Sequence, residues 1–252
     1  MGMNVVIIIQ ARMGSTRLPG KMLLEIDSKS IIAYVVDRVR QSSLINTVLL
    51  ATGKDKSNDV LADWAGYVGI PCYRGSENDV LDRIYQAAKQ VQADVVVRIT
   101  GDCPLMDFEI IDAVVAEYHN GKYDYVSNVH PPTYPDGMDV EVFSFASLEK
   151  AWNEATLASE REHVTPYIWK NTDLFHIKNV ASSEDLSQYR LTLDTQEDFI
   201  LLQKIITYLN KKEEYCGLSC IVDTIKKHPE WMELNVAYDR NEGYEKSLKE
   251  EN

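Results

Sequence analysis

The chain has 252 residues, 45% apolar and 26% charged, which suits one large α/β domain with a sizeable core. Its 39 acids outnumber 26 Lys and Arg and leave a formal charge of −13, which disfavours a nucleic-acid partner, because neutralising a phosphate backbone needs a basic face. No apolar run nears the roughly 20 residues of a membrane helix, and no signal-like segment precedes the first apolar run, so a cytoplasmic protein without a membrane partner is expected.

The first apolar run, Val5–Ile9, reads as a buried parallel strand. The ten residues Arg12–Lys21 that follow carry Arg12, Arg17 and Lys21, and no Asp or Glu occurs before Glu25. Gly14, Ser15, Thr16 and Gly20 let this loop bend and turn N–H groups inward, as an anion nest requires, so a polyphosphate ligand is expected. An ordinary P-loop does not fit: five residues, not four, separate Gly14 from Gly20, and Met22 follows Lys21 where Ser or Thr belongs.

Strands and helices then alternate. Ser30 is placed to cap a helix whose apolar face includes Ile31, Ile32, Val35, Val36 and Val39. A strand follows at Thr47–Thr52, a helix from Ser57 to Trp64, a short extended piece at Ile70–Tyr73 and a helix over Asn78–Val91. Asp94–Thr100 is a strongly apolar strand, and a helix covers about Asp107–Tyr118. This rhythm predicts an α/β protein with a mostly parallel sheet covered by helices. Pro and Gly force a loop over His130–Gly137. Beyond it, strands are predicted at Asp139–Ser144, Phe175–Val180 and Tyr189–Asp194, and helices at Phe145–Thr156, Ser159–Lys170 and Thr195–Leu209. The expected division is a main domain over 1–210, with 130–175 on its acceptor side as a possible dimerisation region, and a polar helical tail over 211–252. The cysteines, Cys72, Cys103, Cys216 and Cys220, have no C-x-x-C or zinc spacing, so free thiols are expected.

Two carboxylates stand at predicted strand ends. Asp102, in Gly101-Asp102-Cys103-Pro104, follows the central strand, where open parallel sheets bind ligands. Asp194 ends a later strand and precedes a helix that Thr195 and Asp198 already cap as a capping box. Two such carboxylates on one sheet edge suit a shared Mg²⁺, which prefers hard oxygen ligands. The plainer alternative for Asp102 is a turn aspartate bonding its own backbone.

The wording Gln10-Ala11-Arg12-Met13-Gly14-Ser15-Thr16-Arg17-Leu18-Pro19-Gly20-Lys21, with Gly101-Asp102-Cys103-Pro104 and Asp194-Thr195-Gln196-Glu197-Asp198, resembles the cytidylyltransferases that activate acidic sugars. The spore-coat polysaccharide biosynthesis branch is the closest likeness, over about residues 4–209. The resemblance implies a three-layer α/β/α nucleotide-diphospho-sugar transferase (Rossmann-like) fold and transfer of CMP from CTP to a sugar-type acceptor, with pyrophosphate released. It implies Mg²⁺ on Asp102 and Asp194, with Arg12, Arg17 and Lys21 stabilising the leaving pyrophosphate. Arg12, Lys21, Asp102 and Asp194 are then the catalytic set, and Gly14 and Ser15 cradle phosphate.

Arg74, Ser76 and Asp79, in the loop before the third helix, are expected to read the cytosine edge, over a floor made by Gln10, Ala11, Ala51 and Thr52. Plain helix capping by Ser76 or Asn78 is the alternative. On the acceptor side, Asp139 and Glu141 are placed to hold sugar hydroxyls, and Arg161 and His163 to pair with an acidic group. A solvated helix with an interface histidine explains the latter pair equally, and Trp152, Leu157, Tyr167, Ile168 and Trp169 could mark the contact of a homodimer. Cys103 stands where the octulosonate branch commonly has glutamate, which leaves the sugar open. The rival functions are a metal-dependent glycosyltransferase of similar fold, which usually carries a short Asp-x-Asp, and a non-catalytic nucleotide-binding subunit.

Overall fold

Alternate residues of the first apolar run feed two separate cores. Val5, Ile7 and Ile9 pack with Ile32, Val36, Ile111 and Leu202, while Val6 and Ile8 pack with Leu81, Ile84 and Leu148. A strand buried on both faces in this way must lie inside a sheet covered twice. The computed structural model, which describes residues 2–212 and 214–251, has that arrangement.

The strands are β1 (Val5–Gln10), β2 (Glu25–Ile26), β3 (Lys29–Ser30), β4 (Thr47–Gly53), β5 (Cys72–Gly75), β6 (Val95–Thr100), β7 (Tyr125–Ser127), β8 (Glu141–Ser144) and β9 (Ile177–Asn179). Seven form one sheet in the order β5-β4-β1-β6-β8-β7-β9, and β2 and β3 make a small hairpin. β5, β4, β1 and β6 are parallel, β8 runs against both β6 and β7, and β9 is parallel to β7. Helices α1 (Ile31–Val39), α2 (Asp59–Tyr67), α4 (Phe108–Asn120), α8 (Gln196–Leu209) and α9 (Leu218–Lys227) cover one face. Helices α3 (Val80–Gln90), α5 (Phe145–Glu154) and α7 (Pro166–Lys170) cover the other. The result is the expected three-layer α/β/α fold. Among the described residues no helix is long and apolar enough to cross a membrane.

Three expectations fail locally. The single helix over Ser159–Lys170 is broken into α6 (Ala158–His163) and α7, because Val164 takes φ +75° and Pro166, which has no N–H, starts the second piece. Tyr189–Asp194 joins no ladder among the described residues beyond one bridge, Arg190 to Asp136. It instead crosses loops, with Leu191 N–H donating to Asp136 O and Leu193 N–H to Asp102 O. Finally, Cys216 and Cys220 form a disulfide with Cα atoms 5.3 Å apart, leaving Cys72 and Cys103 free. A C-x₃-C pair at a helix start falls on one turn, which a search for C-x-x-C misses.

The chain leaves β1 on one side to form β4 and β5, then returns to place β6 on the other. The crevice beyond the ends of β1 and β6 is therefore the topological switch point, where open α/β sheets bind ligands. The phosphate loop and Gly101-Asp102 both emerge there. The segment after α9 does not trail away: a 3-10 stretch, Pro229–Leu234, and α10 (Glu242–Glu251) fold back, and α10 packs on α6.

Candidate active site

Lys21 is the hub of the switch point. Gly20 takes φ +72°, and the chain enters a 3-10 turn that buries the Lys21 side chain to 8% exposure. Its Nζ donates to Asp102 Oδ2 at 2.6 Å, Asp194 Oδ1 at 2.9 Å and Leu193 O at 2.6 Å. Burial alone would lower the ammonium pKa, but the two carboxylates override it and hold the charged form above the ordinary lysine range. Asp102 shows the converse: burial pushes its carboxyl up, and Lys21 together with the Thr100 hydroxyl brings it below the usual range. The two expected metal carboxylates thus converge on one cation position.

Asp194 is held there by a second cation. Arg190 donates to Asp194 Oδ2 at 3.1 Å, to Asp136 at 2.9 Å and to both oxygens of Asp198, which has no exposed surface. Asp198 also accepts from the Asp194 and Thr195 N–H groups, completing the predicted capping box, and from Asn235. Burial lowers the Arg190 pKa, yet the surrounding carboxylates raise it further than burial takes it down. Gly137 is required beside this network: its φ is +99°, and a Cβ would sit 2.6 Å from Leu191 C.

The other loop cations are half-exposed and also face acids. Arg17 pairs with Asp194 at 3.2 Å and Glu242 at 2.6 Å, and Arg12 lies 3.9 Å from Glu162. The Ser15 hydroxyl accepts from Leu18 N–H and tightens the loop, which also includes Gly14. Gln10 and Ala11 stand at the end of β1, where Ala11 N–H donates to Ala51 O and Gln10 Oε1 accepts from Arg98. Thr52 is fully buried, and its hydroxyl has no hydrogen-bond partner among the described residues.

The expected base readers are committed elsewhere. Arg74 turns back on the β4 loop, bonding Gly53 O, Lys54 O and Asp55 O and pairing with Asp59 at 2.7 Å. The Ser76 hydroxyl accepts from Asp79 N–H. Asp79 caps α3 through Asp82 N–H and takes a two-pronged contact from Arg161.

The acceptor-side residues divide. Glu141 is buried between Arg98, Tyr125 and Thr165 and begins β8, whereas Asp139 precedes the strand that was predicted to start with it. Asp139 instead pairs with Arg240, and burial lifts its carboxyl to about 7 against that cation's pull. His163 Nε2 meets the Ser247 hydroxyl at 3.0 Å, and burial lowers its pKa. Arg161, held by Asp79 and by Trp152 O, is not brought to the carboxylate pair.

The sequence reading missed Glu77, Asp136, Arg190 and the C-terminal residues Arg240 and Glu242. The i, i+4 spacing of Arg190 and Asp194 was a usable signal for one of them. Among the described residues, no group of three or more His, Cys, Asp or Glu side chains could enclose a metal. Two carboxylates are nevertheless a fitting donor set for Mg²⁺, which keeps several waters and takes its remaining ligands from substrate phosphates.

Residues 6–247 match the model of a protein family described as cytidylyltransferase. A solved cytidylyltransferase from Leptospira borgpetersenii is 37% identical, with a TM-score of 0.86 over 92% of this chain and 97% of that one. The spore coat polysaccharide biosynthesis protein SpsF of Bacillus subtilis is 30% identical over 90% of this chain and 96% of its own length. A 3-deoxy-manno-octulosonate cytidylyltransferase of Chloroherpeton thalassium is 38% identical over 46% of each chain.

Proposed function

Because the chain belongs to the cytidylyltransferase family, we propose that it transfers CMP from CTP to an acidic sugar or related acceptor, releasing pyrophosphate, in surface polysaccharide or glycoconjugate synthesis. The observation that carries this reading is the convergence of Asp102 and Asp194 on one cation position beside the phosphate loop.

Asp102 and Asp194 would hold Mg²⁺, whose chemistry is Lewis-acid stabilisation of charge on the α-phosphate and the attacking oxygen. The Lys21 ammonium is balanced by those same carboxylates; with a metal held there, Lys21 would be free to turn its charge toward phosphate oxygens. Arg12 and Arg17 exchange half-exposed carboxylate contacts, worth about 0–1 kcal/mol each, for charge-assisted bonds to the β- and γ-phosphates. Arg190 keeps the Asp194 carboxylate oriented, since buried Asp198 and half-buried Asp136 fix its guanidinium.

The test is pyrophosphate release from CTP across a panel of octulosonic and nonulosonic acids, neutral sugars and phosphonates. Mg²⁺-dependent release, stoichiometric with a CMP adduct of one acidic sugar, is expected. Release with a neutral sugar alone would replace the acceptor class.

A further inference from the structure

One side chain from the loop after β5 enters the slot between the phosphate loop and the end of β4, and it is Glu77. The slot exists because its walls are glycines. A Cβ on Gly53 would lie 1.6 Å from Glu77 Oε2 and 2.8 Å from Glu77 Cδ, and one on Gly14 would lie 3.3 Å from Oε1. Asn58, fully buried, ties the slot to the phosphate loop: its Oδ1 accepts from Met13 N–H at 2.8 Å, and its Nδ2 donates to Glu77 Oε2 at 2.9 Å. Oε1 accepts no hydrogen bond among the described residues, so the carboxylate is held by one oxygen and offers the other.

The neighbouring polar side chains already hold parts of the protein itself. Arg74 is bound to the β4 loop, the Ser76 hydroxyl holds Asp79 N–H, and Asp79 is gripped by Arg161. Cytosine and uracil differ at C4, where cytosine carries an amine with two N–H donors and uracil a carbonyl acceptor. An ionised carboxylate only accepts, so it attracts the amine and repels the carbonyl. We propose that Glu77 is the residue that selects cytosine over uracil, its Oε1 accepting from the base's amino group while Asn58 fixes Oε2. This rests on the reading of the chain as a CTP-dependent enzyme and deepens it.

The experiment is calorimetric titration of CTP and UTP with Mg²⁺, without acceptor, into wild type and Glu77→Gln. A glutamine amide offers donor and acceptor at the same reach, so the CTP-to-UTP affinity ratio should fall by about tenfold or more. Titration of N4,N4-dimethyl-CTP into wild type needs no variant to fold: this analogue lacks the N–H donors and should bind about tenfold or more weaker than CTP. If wild type binds CTP while Glu77→Gln keeps the ratio and weakens both nucleotides equally, Glu77 is only a tether for Asn58 and this proposal falls alone. Dimethyl-CTP binding as tightly as CTP would overturn it too. Wild type that binds neither CTP nor UTP would remove the CTP-dependent reading together with it.

Discussion

The half of the molecule that carries the phosphate loop, β5-β4-β1-β6 with its loops, and the half to which we assign the acceptor, β8-β7-β9 with α6, α7 and α10, are built on different principles. In the first, parallel strands end side by side and functional residues come from the loops at those ends: Arg12 and Lys21 from the loop after β1, Asp102 from the turn after β6. In the second, contacts join distant parts of the chain. Arg240 reaches back 101 residues to Asp139, Glu251 reaches 92 to Ser159, and Glu242 reaches 225 to Arg17. Local grammar can therefore place the phosphate loop and Asp102, while the other half is closed by contacts that the C-terminal segment brings from far along the chain.

Arg190 joins the halves, and removing it should have the largest effect. Arg190→Leu leaves Asp198, which has no exposed surface, without its cation, which should cost about 3–5 kcal/mol of stability in urea unfolding. A loss under about 1 kcal/mol would mean that Asn235 and the backbone N–H groups suffice to hold Asp198.

The carboxylate pair comes next. Asp102→Asn and Asp194→Asn should each lower turnover by about a hundredfold or more, equivalent to about 2.7 kcal/mol at the barrier. Steady-state rates across a Mg²⁺ series check this. Near-normal turnover at low Mg²⁺ in either variant would remove that aspartate from the shared position.

A smaller and more selective effect is expected at the phosphate loop. Lys21→Ala should weaken CTP by about tenfold while changing CMP little, because the charge-assisted contacts assigned to it are to phosphates that CMP lacks. Parallel titrations compare the two nucleotides. Equal losses would place Lys21 at the α-phosphate or ribose.

The smallest effect separates the halves by pH. The Asp139 carboxyl is raised to about 7 in the folded protein, so its protonated form stabilises the fold at low pH. That contribution is fully present below about 3.9, the unfolded carboxyl pKa, and is lost as pH rises through about 7. Melting temperatures between pH 5 and pH 8 should therefore fall less in Asp139→Asn than in wild type. Identical slopes would show that Arg240 keeps Asp139 ionised throughout.

The parallel strands were legible because Val5–Ile9 is apolar without interruption and Val95–Ile99 is broken only by Arg98, as suits strands covered on both faces. Asp102 was legible from its position at the end of such a run, and Asp194 from its place just before the capping box of α8. Tyr125–Ser127 was not, since three residues carry too little pattern, and the break at Val164 was hidden in an otherwise helical stretch. The base loop was only partly legible. Arg74, Ser76 and Asp79 have suitable chemistry, but only the three-dimensional slot between Gly53 and Gly14 shows that Glu77 is the residue aimed into it.

The account turns on two carboxylates sharing one cation position, and titration of Mn²⁺ in the presence of CTP, read by electron paramagnetic resonance, tests that most directly. Wild type should bind Mn²⁺ tightly in the CTP complex, and Asp102→Asn and Asp194→Asn should each weaken it by about tenfold or more while leaving CTP itself bound. Unchanged Mn²⁺ affinity in the double variant would contradict the account.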